Sequence, residues 1–148
     1  MKKEIKNIIV LENIIATIRD AKTGKVKRVY KHKNSVQLAG RNVIARRLVN
    51  ELTYSGILNY GVLYTAGPVE NYRKLIASGT YDDASAKAYA TWFFTAAEVN
   101  GTFVQWGNVI DGAAGSGTGQ QWSITAVSWT KSALETLTVD CIYQITAV

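Results

Sequence analysis

The sequence predicts a mainly β protein: an antiparallel β-sandwich with one amphipathic helix at about 37–52 and an N-terminal β-hairpin. Three observations carry that expectation. The stretch Thr136 to Ala147 places Leu137, Val139, Cys141, Tyr143, Ile145 and Ala147 on one face and Thr136, Thr138, Asp140, Gln144 and Thr146 on the other, with Ile142 out of step. A period of two over that length is a strand with one buried face. Apolar residues recur at helical spacing between 37 and 52, and short turn signals separate the strand-like runs elsewhere. At 148 residues the chain suits a single domain able to bury a core without staples. Within it, residues 1–35 read as a basic hairpin arm and 36–148 as the sandwich with its helix.

In chain order, Ile14 to Arg19 and Lys25 to His32 are strand-like, joined by Asp20-Ala21-Lys22-Thr23-Gly24, where Gly24 is able to take positive φ. Asn34 or Ser35 is placed to cap the helix. Leu38, Ile44, Ala45, Leu48, Val49 and Leu52 form its apolar stripe, with Arg41, Asn42, Arg46, Arg47, Asn50 and Glu51 opposite. Gly40 costs up to about 1 kcal/mol relative to alanine in a helix, so it marks close approach to the sheet. Leu58 to Thr65 reads as a strand ended by Ala66-Gly67-Pro68, Glu70 to Ser78 as a short helix, and Thr80 to Lys87 as a polar loop. Ala88 to Ala97 is an aromatic strand. The following Asn100-Gly101 is the dipeptide that type I′ turns favour, so Thr102 to Ile110 is expected to return antiparallel. Asp111 to Gln120, with four glycines in ten residues, reads as a flexible hairpin tip before the strand Trp122 to Trp129, and Lys131 to Glu135 connects to the last strand. On this reading the last four strands form an antiparallel meander.

Composition narrows the chemistry. A single cysteine, Cys141, sits on the apolar face of the last strand and reads as a buried, inert thiol. The sole histidine, His32, has no nucleophile motif beside it, and no His/Cys spacing suits a metal, so neither a catalytic centre nor a cofactor is expected. Glu70, Asp82, Asp83, Glu98, Asp111, Glu135 and Asp140 stand mostly alone in turns, where surface acids belong, rather than as a catalytic pair. The apolar run at the N-terminus is only IIVL, too short for a signal peptide or a membrane span, which points to a protein folded in a cytoplasm and away from a membrane.

Charge is segregated. Residues 1–53 carry thirteen Lys and Arg against four Asp and Glu, whereas 54–148 carry four against seven. Arg19, Lys25, Lys27, Arg28 and Lys31 on the hairpin, and Arg41, Arg46 and Arg47 on the helix, are the candidate electrostatic contacts. Only one aromatic, Tyr30, precedes residue 54, so the basic segment lacks the stacking platform of single-strand nucleic-acid binders. Nucleic acid is therefore the third-ranked partner.

The order of Lys33-Asn34-Ser35-Val36, Ala39-Gly40-Arg41-Asn42-Val43-Ile44-Ala45, Phe93-Phe94-Thr95, Glu98-Val99-Asn100-Gly101-Thr102, the Gly-rich loop, Trp129-Thr130-Lys131-Ser132 and Glu135-Thr136-Leu137-Thr138-Val139 resembles small virion structural proteins of tailed bacteriophages. The likeness covers about 33–53 and 88–146. It departs from the pattern at Tyr64-Thr65-Ala66-Gly67-Pro68, where a Gly-Thr-Gly type strand end is expected, and leaves 54–87 outside it. The resemblance implies a non-enzymatic virion component, assembled in the host cytoplasm, in the tail, neck, baseplate or fibre-attachment region, with other virion proteins and copies of itself as partners. Capsid decoration is the variant of that role. In such an assembly the basic residues would meet acidic surfaces, and exposed tryptophans, Trp106 and Trp122 among them, would anchor apolar contacts. A carbohydrate-binding β-sandwich, with sugars stacked on aromatic side chains of an exposed sheet face and the Gly-rich loop adapting to the ligand, is the alternative from another class.

Overall fold

The computed structural model describes residues 8–67 and 69–147; the lysine-rich start and Pro68, read above as a strand breaker, lie outside the described residues. The β-sandwich is present as two antiparallel sheets with one short helix. One sheet has the order β2 (Val26–Ser35), β1 (Ile8–Asp20), β9 (Glu135–Ala147), β6 (Lys87–Phe94), β5 (Ser78–Asp82). The other has the order β4 (Val69–Leu75), β3 (Leu58–Thr65), β7 (Gly101–Ile110), β8 (Gln120–Lys131). Helix α1 (Leu38–Leu48) carries the chain from the first sheet to the second and packs on β8.

The alternating stretch is the centre of the first sheet. β9 pairs with β1 from Asp20↔Glu135 to Ile8↔Ala147 and with β6 from Phe94↔Leu137 to Lys87↔Gln144. Its inward residues Leu137, Val139, Cys141 and Tyr143 are buried, opposite Ile14, Ala16 and Ile18 of β1 and Ala90, Trp92 and Phe94 of β6. At Ile145, half exposed, the strand leaves the core. The second sheet answers with Leu63, Phe103, Trp106 and Trp129. Trp106 stands edge-on to Trp92 at 5.4 Å and to Phe94 at 6.3 Å, and 5.9 Å from Trp129. Such aromatic contacts contribute about 0.5–1.5 kcal/mol each beyond the area they bury.

The N-terminal hairpin forms with Gly24 at φ +70, but it is not a separate arm, because β1 is an interior strand and β2 lies over β8. Tyr30 stacks near Trp129, Trp129 Nε1 donates to His32 at 3.0 Å, and Asn34 donates to the Ile124 carbonyl at 3.0 Å. Asn34 and Ser35 belong to β2; the N-cap of α1 is Gln37, with no side-chain cap bond.

Four expectations are corrected. The meander is absent: β7 and β8 pair, but β6 and β9 belong to the opposite sheet, so Glu98-Val99-Asn100-Gly101 crosses between sheets instead of closing a hairpin. Glu70 to Ser78 is no helix. Most of it is strand β4, paired with β3, because the edge of that sheet offers ladder bonds that an exposed short helix cannot match. Thr80 to Lys87 is likewise no simple loop, since its start completes β5. The helix is shorter than expected and turned. Asn50 adopts φ +58, and Glu51 N–H donates to the Arg46 carbonyl while Asn50 N–H donates to that of Arg47. This six-to-one and five-to-two pattern stops the helix at Leu48. The side seated on the sheet is Gly40 and Val43, with Ile44 half buried. Leu38, Leu48, Val49 and Leu52, expected to face the core, are 65–82% exposed.

Candidate functional site

The basic residues do not gather into one patch. Arg28 is drawn inward, donating to Glu135 at 2.7 Å and to the Thr130 carbonyl at 3.0 Å, and Lys27 reaches the same carboxylate at 3.1 Å. Arg28 first, then the Ser132 N–H and Lys27, hold Glu135 at a pKa of about 2 against the opposing effect of burial. These two cations therefore tie β2 to the start of β9. Lys25 and Lys31 stay exposed on the hairpin, and Arg19 is half buried. On α1, Arg46 pairs with Glu51 at 2.9 Å, Arg41 is exposed, and Arg47 lines a cleft described below.

Trp106 and Trp122, expected as surface anchors, are core residues at 0% and 8% exposure, and Trp92 and Trp129 are buried as well. The acids have local duties. Glu98 accepts from Lys74, the Thr95 N–H and Tyr72 Oη, which outweigh burial and hold it at about 2. Glu70 grips Arg73 and accepts from Gly117 N–H at 3.0 Å, while Arg73 Nη1 donates to the Ala113 carbonyl at 2.9 Å and Thr118 Oγ1 at 2.8 Å. The Gly-rich loop is thus fastened to β4 through its backbone, in place of the flexible tip expected. Asp111 receives Ser55, Asp82 receives Ser85, and Asp140 receives Thr91 at 2.6 Å.

Two buried polar groups were not singled out from the sequence. Glu12, 1% exposed, accepts from Ser123 Oγ at 2.8 Å and Asn34 at 3.3 Å. Beside it, Asn108 satisfies its neighbours with its nitrogen toward Ser123 and Glu12 and its oxygen toward Tyr143 Oη at 2.9 Å and Trp106 Nε1 at 3.3 Å. Burial raises the pKa of Glu12, of Tyr143 and of the Cys141 thiol alongside. The network spans both sheets and supplies the hydrogen bonds that buried polar groups require. A signal existed: Glu12 is in phase with Val10, Ile14, Ala16 and Ile18, so strict alternation points it inward. Lys131, in phase with Val127 and Trp129, is the second. Its Nζ donates to the carbonyls of Ala96 at 3.3 Å and Glu98 at 2.7 Å and to Asn100 Oδ1 at 3.0 Å, and burial lowers its pKa.

A cleft of about 590 Å3 lies at the end of the sandwich that α1 partly closes. Val43, Ile44, Arg47 and Leu48 of the helix form one wall; Ala88, Tyr143 and Ile145 of the first sheet face Leu58, Ile110 and Trp122 of the second. Among the described residues no group of three or more His, Cys, Asp or Glu is gathered as a metal site.

Compared with known proteins, the chain matches no family model, no curated protein and no solved structure.

Proposed function

We propose that this protein is a non-enzymatic structural component of a bacteriophage virion, working in multiple copies in the tail, neck, baseplate or fibre-attachment region. The observation that carries the assembly part is the outward apolar stripe of α1 and the loop after it. Leu48 is 82% exposed and Val49 77%, with Leu38, Leu52 and Ile57 at 65–66%. A helix that turns its apolar stripe to solvent and seats a glycine on its own sheet has a surface suited to a neighbouring chain. Exposed Arg41 and Arg47 on the same helix supply charge for an acidic partner.

The virion part is supported by the order of residues over 33–53 and 88–146, several of which hold junctions of the fold: Asn34 at β8, Gly40 under α1, Glu98 and Lys131 at the crossover, Glu135 at the start of β9. For the sugar-stacking alternative all four tryptophans are buried, which leaves Tyr81 and Phe93, 72% and 41% exposed, as the aromatic side chains it would use.

Immunogold electron microscopy on purified particles, with antibody against the isolated chain, tests this reading. Labelling at one position on the particle is expected, and absence of label from intact and disrupted particles would overturn it.

A further inference from the structure

Along one side of the sandwich the two sheets meet at their edge strands, β2 and β8, which share no ladder. Three side chains of β2 stitch that seam instead. Arg28 donates to the Thr130 carbonyl at 3.0 Å, Asn34 donates to the Ile124 carbonyl at 3.0 Å, and His32 Nε2 accepts from Trp129 Nε1 at 3.0 Å. An indole nitrogen can only donate, so this bond assigns His32 the neutral tautomer, with its hydrogen on Nδ1. Trp129 has no exposed surface, while His32 is half buried. Of the three stitches only His32 changes charge near neutrality. Arg28 stays charged beside Glu135, which is held at about 2, and Asn34 does not titrate.

The ionisable neighbours leave the ring to burial alone. On β2, Arg28 and Tyr30 share its face, and exposed Lys31 and Lys33 point to the other. On β1, Glu12 is the next inward residue from Ile14, which stands opposite His32, and Cys141 of β9 lies beyond Ile14. On β8, Lys131 gives its ammonium to the carbonyls of Ala96 and Glu98. Among the described residues none of these bonds to the imidazole. Burial accordingly lowers its pKa from the ordinary 6.5.

We propose that His32 is an acid-operated latch on this seam: a proton taken up at Nε2 turns the acceptor into a donor, breaks the bond to Trp129 and loosens β2 from the edge of the second sheet. The imidazolium then sets one N–H against another, and a buried indole donor is left unpaired, which is the costly outcome. The sign follows from burial. Folding favours the neutral ring, so the contribution of the latch is complete above the unfolded value of 6.5 and is lost as pH falls through the lower folded value. Loosening uncovers the β8 edge that β2 shields, and an open edge is a template for another strand. The latch is independent of the virion assignment, which is decided on particles.

The test follows the full chain by NMR from pH 8 to about pH 4, reading the His32 ring signals and the Trp129 indole N–H, with indole hydrogen exchange measured at both ends. The two signals are expected to titrate with one midpoint below 6.5. Once corrected for the intrinsic effect of pH, exchange of the Trp129 indole should be about tenfold faster or more with His32 protonated. His32→Gln, whose amide oxygen accepts from the indole without titrating, should abolish the response. Glu12→Gln, which removes the nearby carboxyl whose pKa burial raises from 4.5, should leave it in place. An indole signal that stays still while His32 titrates would overturn the proposal, as would a response that survives in His32→Gln or vanishes in Glu12→Gln. The shared midpoint is read on the unmodified protein, so a variant that misfolds does not obscure the result.

Discussion

Replacing Gly40 with alanine sets two effects of opposite sign against each other. In an exposed helix interior alanine is favoured over glycine by up to about 1 kcal/mol, so helix propensity alone forecasts a stabler protein. The packing forecasts the reverse. A methyl at Gly40 would stand 2.5 Å from the Trp122 carbonyl oxygen, 2.8 Å from Val36 Cγ1 and 3.0 Å from Trp122 Cε3. The carbonyl is backbone, held in β8 where the register to β7 shifts between Asn108 and Val109, so it cannot rotate away as a side chain would. Forcing a methyl into such a contact costs about 1–3 kcal/mol or more. After the propensity gain, Gly40→Ala should lose about 1–2 kcal/mol, which for a chain of this length lowers Tm by roughly 2–8 °C. Urea unfolding followed by far-UV circular dichroism and tryptophan fluorescence measures it. Ala39→Gly, on the exposed side of the same helix, provides the propensity term alone at about 1 kcal/mol lost. A higher urea midpoint for Gly40→Ala would refute the seating of α1 against Trp122.

Further outcomes follow from the buried charges and the exposed stripe. Burial raises the pKa of Glu12 in the folded state, so the protonated form is favoured by folding; that contribution is complete below the unfolded value of 4.5 and is lost as pH rises through the folded pKa. Glu12→Gln should therefore gain on the native protein between pH 4 and pH 8 in urea midpoints, and a difference constant with pH would contradict the burial. Glu135 is the opposite case: held at about 2, it contributes stability above pH 4.5 that disappears as pH falls toward 2. Glu135→Gln should cost about 1–3 kcal/mol at pH 7 and little at pH 2, since it leaves Arg28 without its charged partner. Lys131→Met should speed amide hydrogen exchange across Ala96 to Gly101, and unchanged exchange there would show that Nζ does not anchor the crossover. Leu48→Ser combined with Leu52→Ser should leave the urea midpoint within about 0.5 kcal/mol, because both side chains are exposed, but should weaken self-association in sedimentation velocity.

Local geometry was legible in the sequence where one rule acted alone. The alternation from Leu137 to Tyr143 placed β9 and its buried face, Gly24 closed the first hairpin, and Gly40 marked the contact with the sheet. Legibility failed where tertiary contacts chose between local options. Asn100-Gly101 has the chemistry of a hairpin turn, yet Lys131, opposite Gly101 in the β7–β8 ladder, holds the carbonyls of Ala96 and Glu98 before it, and the chain crosses over. Glu70 and Arg73 have the spacing of a helical ion pair. In β4 the register shift between Leu63 and Tyr64 inserts Asn71 as an extra residue and brings the same two side chains onto one face of a strand. The stripe from Leu38 to Leu52 obeys helical periodicity but says nothing of which way it faces, and the neighbour that decided this was the smallest residue, Gly40, fitting beneath Trp122. The cleft, assembled from six strands and a helix, has no local signature at all.

The pairing of β1 with β9 along the full length of both strands also sets a timetable. During synthesis the second sheet, β3, β4, β7 and β8, is complete in the emerging chain before β9 exists, whereas β1 and β6 are left without the strand that lies between them. Until β9 arrives, Ile14, Ile18, Trp92 and Phe94 have only half their walls and two sheet edges stand open, a condition that favours pairing with the wrong chain. Contacts between residues so far apart in sequence also slow the final step. Folding should therefore end, rather than begin, with the most regular strand in the molecule, and a ribosome-bound chain halted before Glu135 should present a finished second sheet beside an unclosed first one.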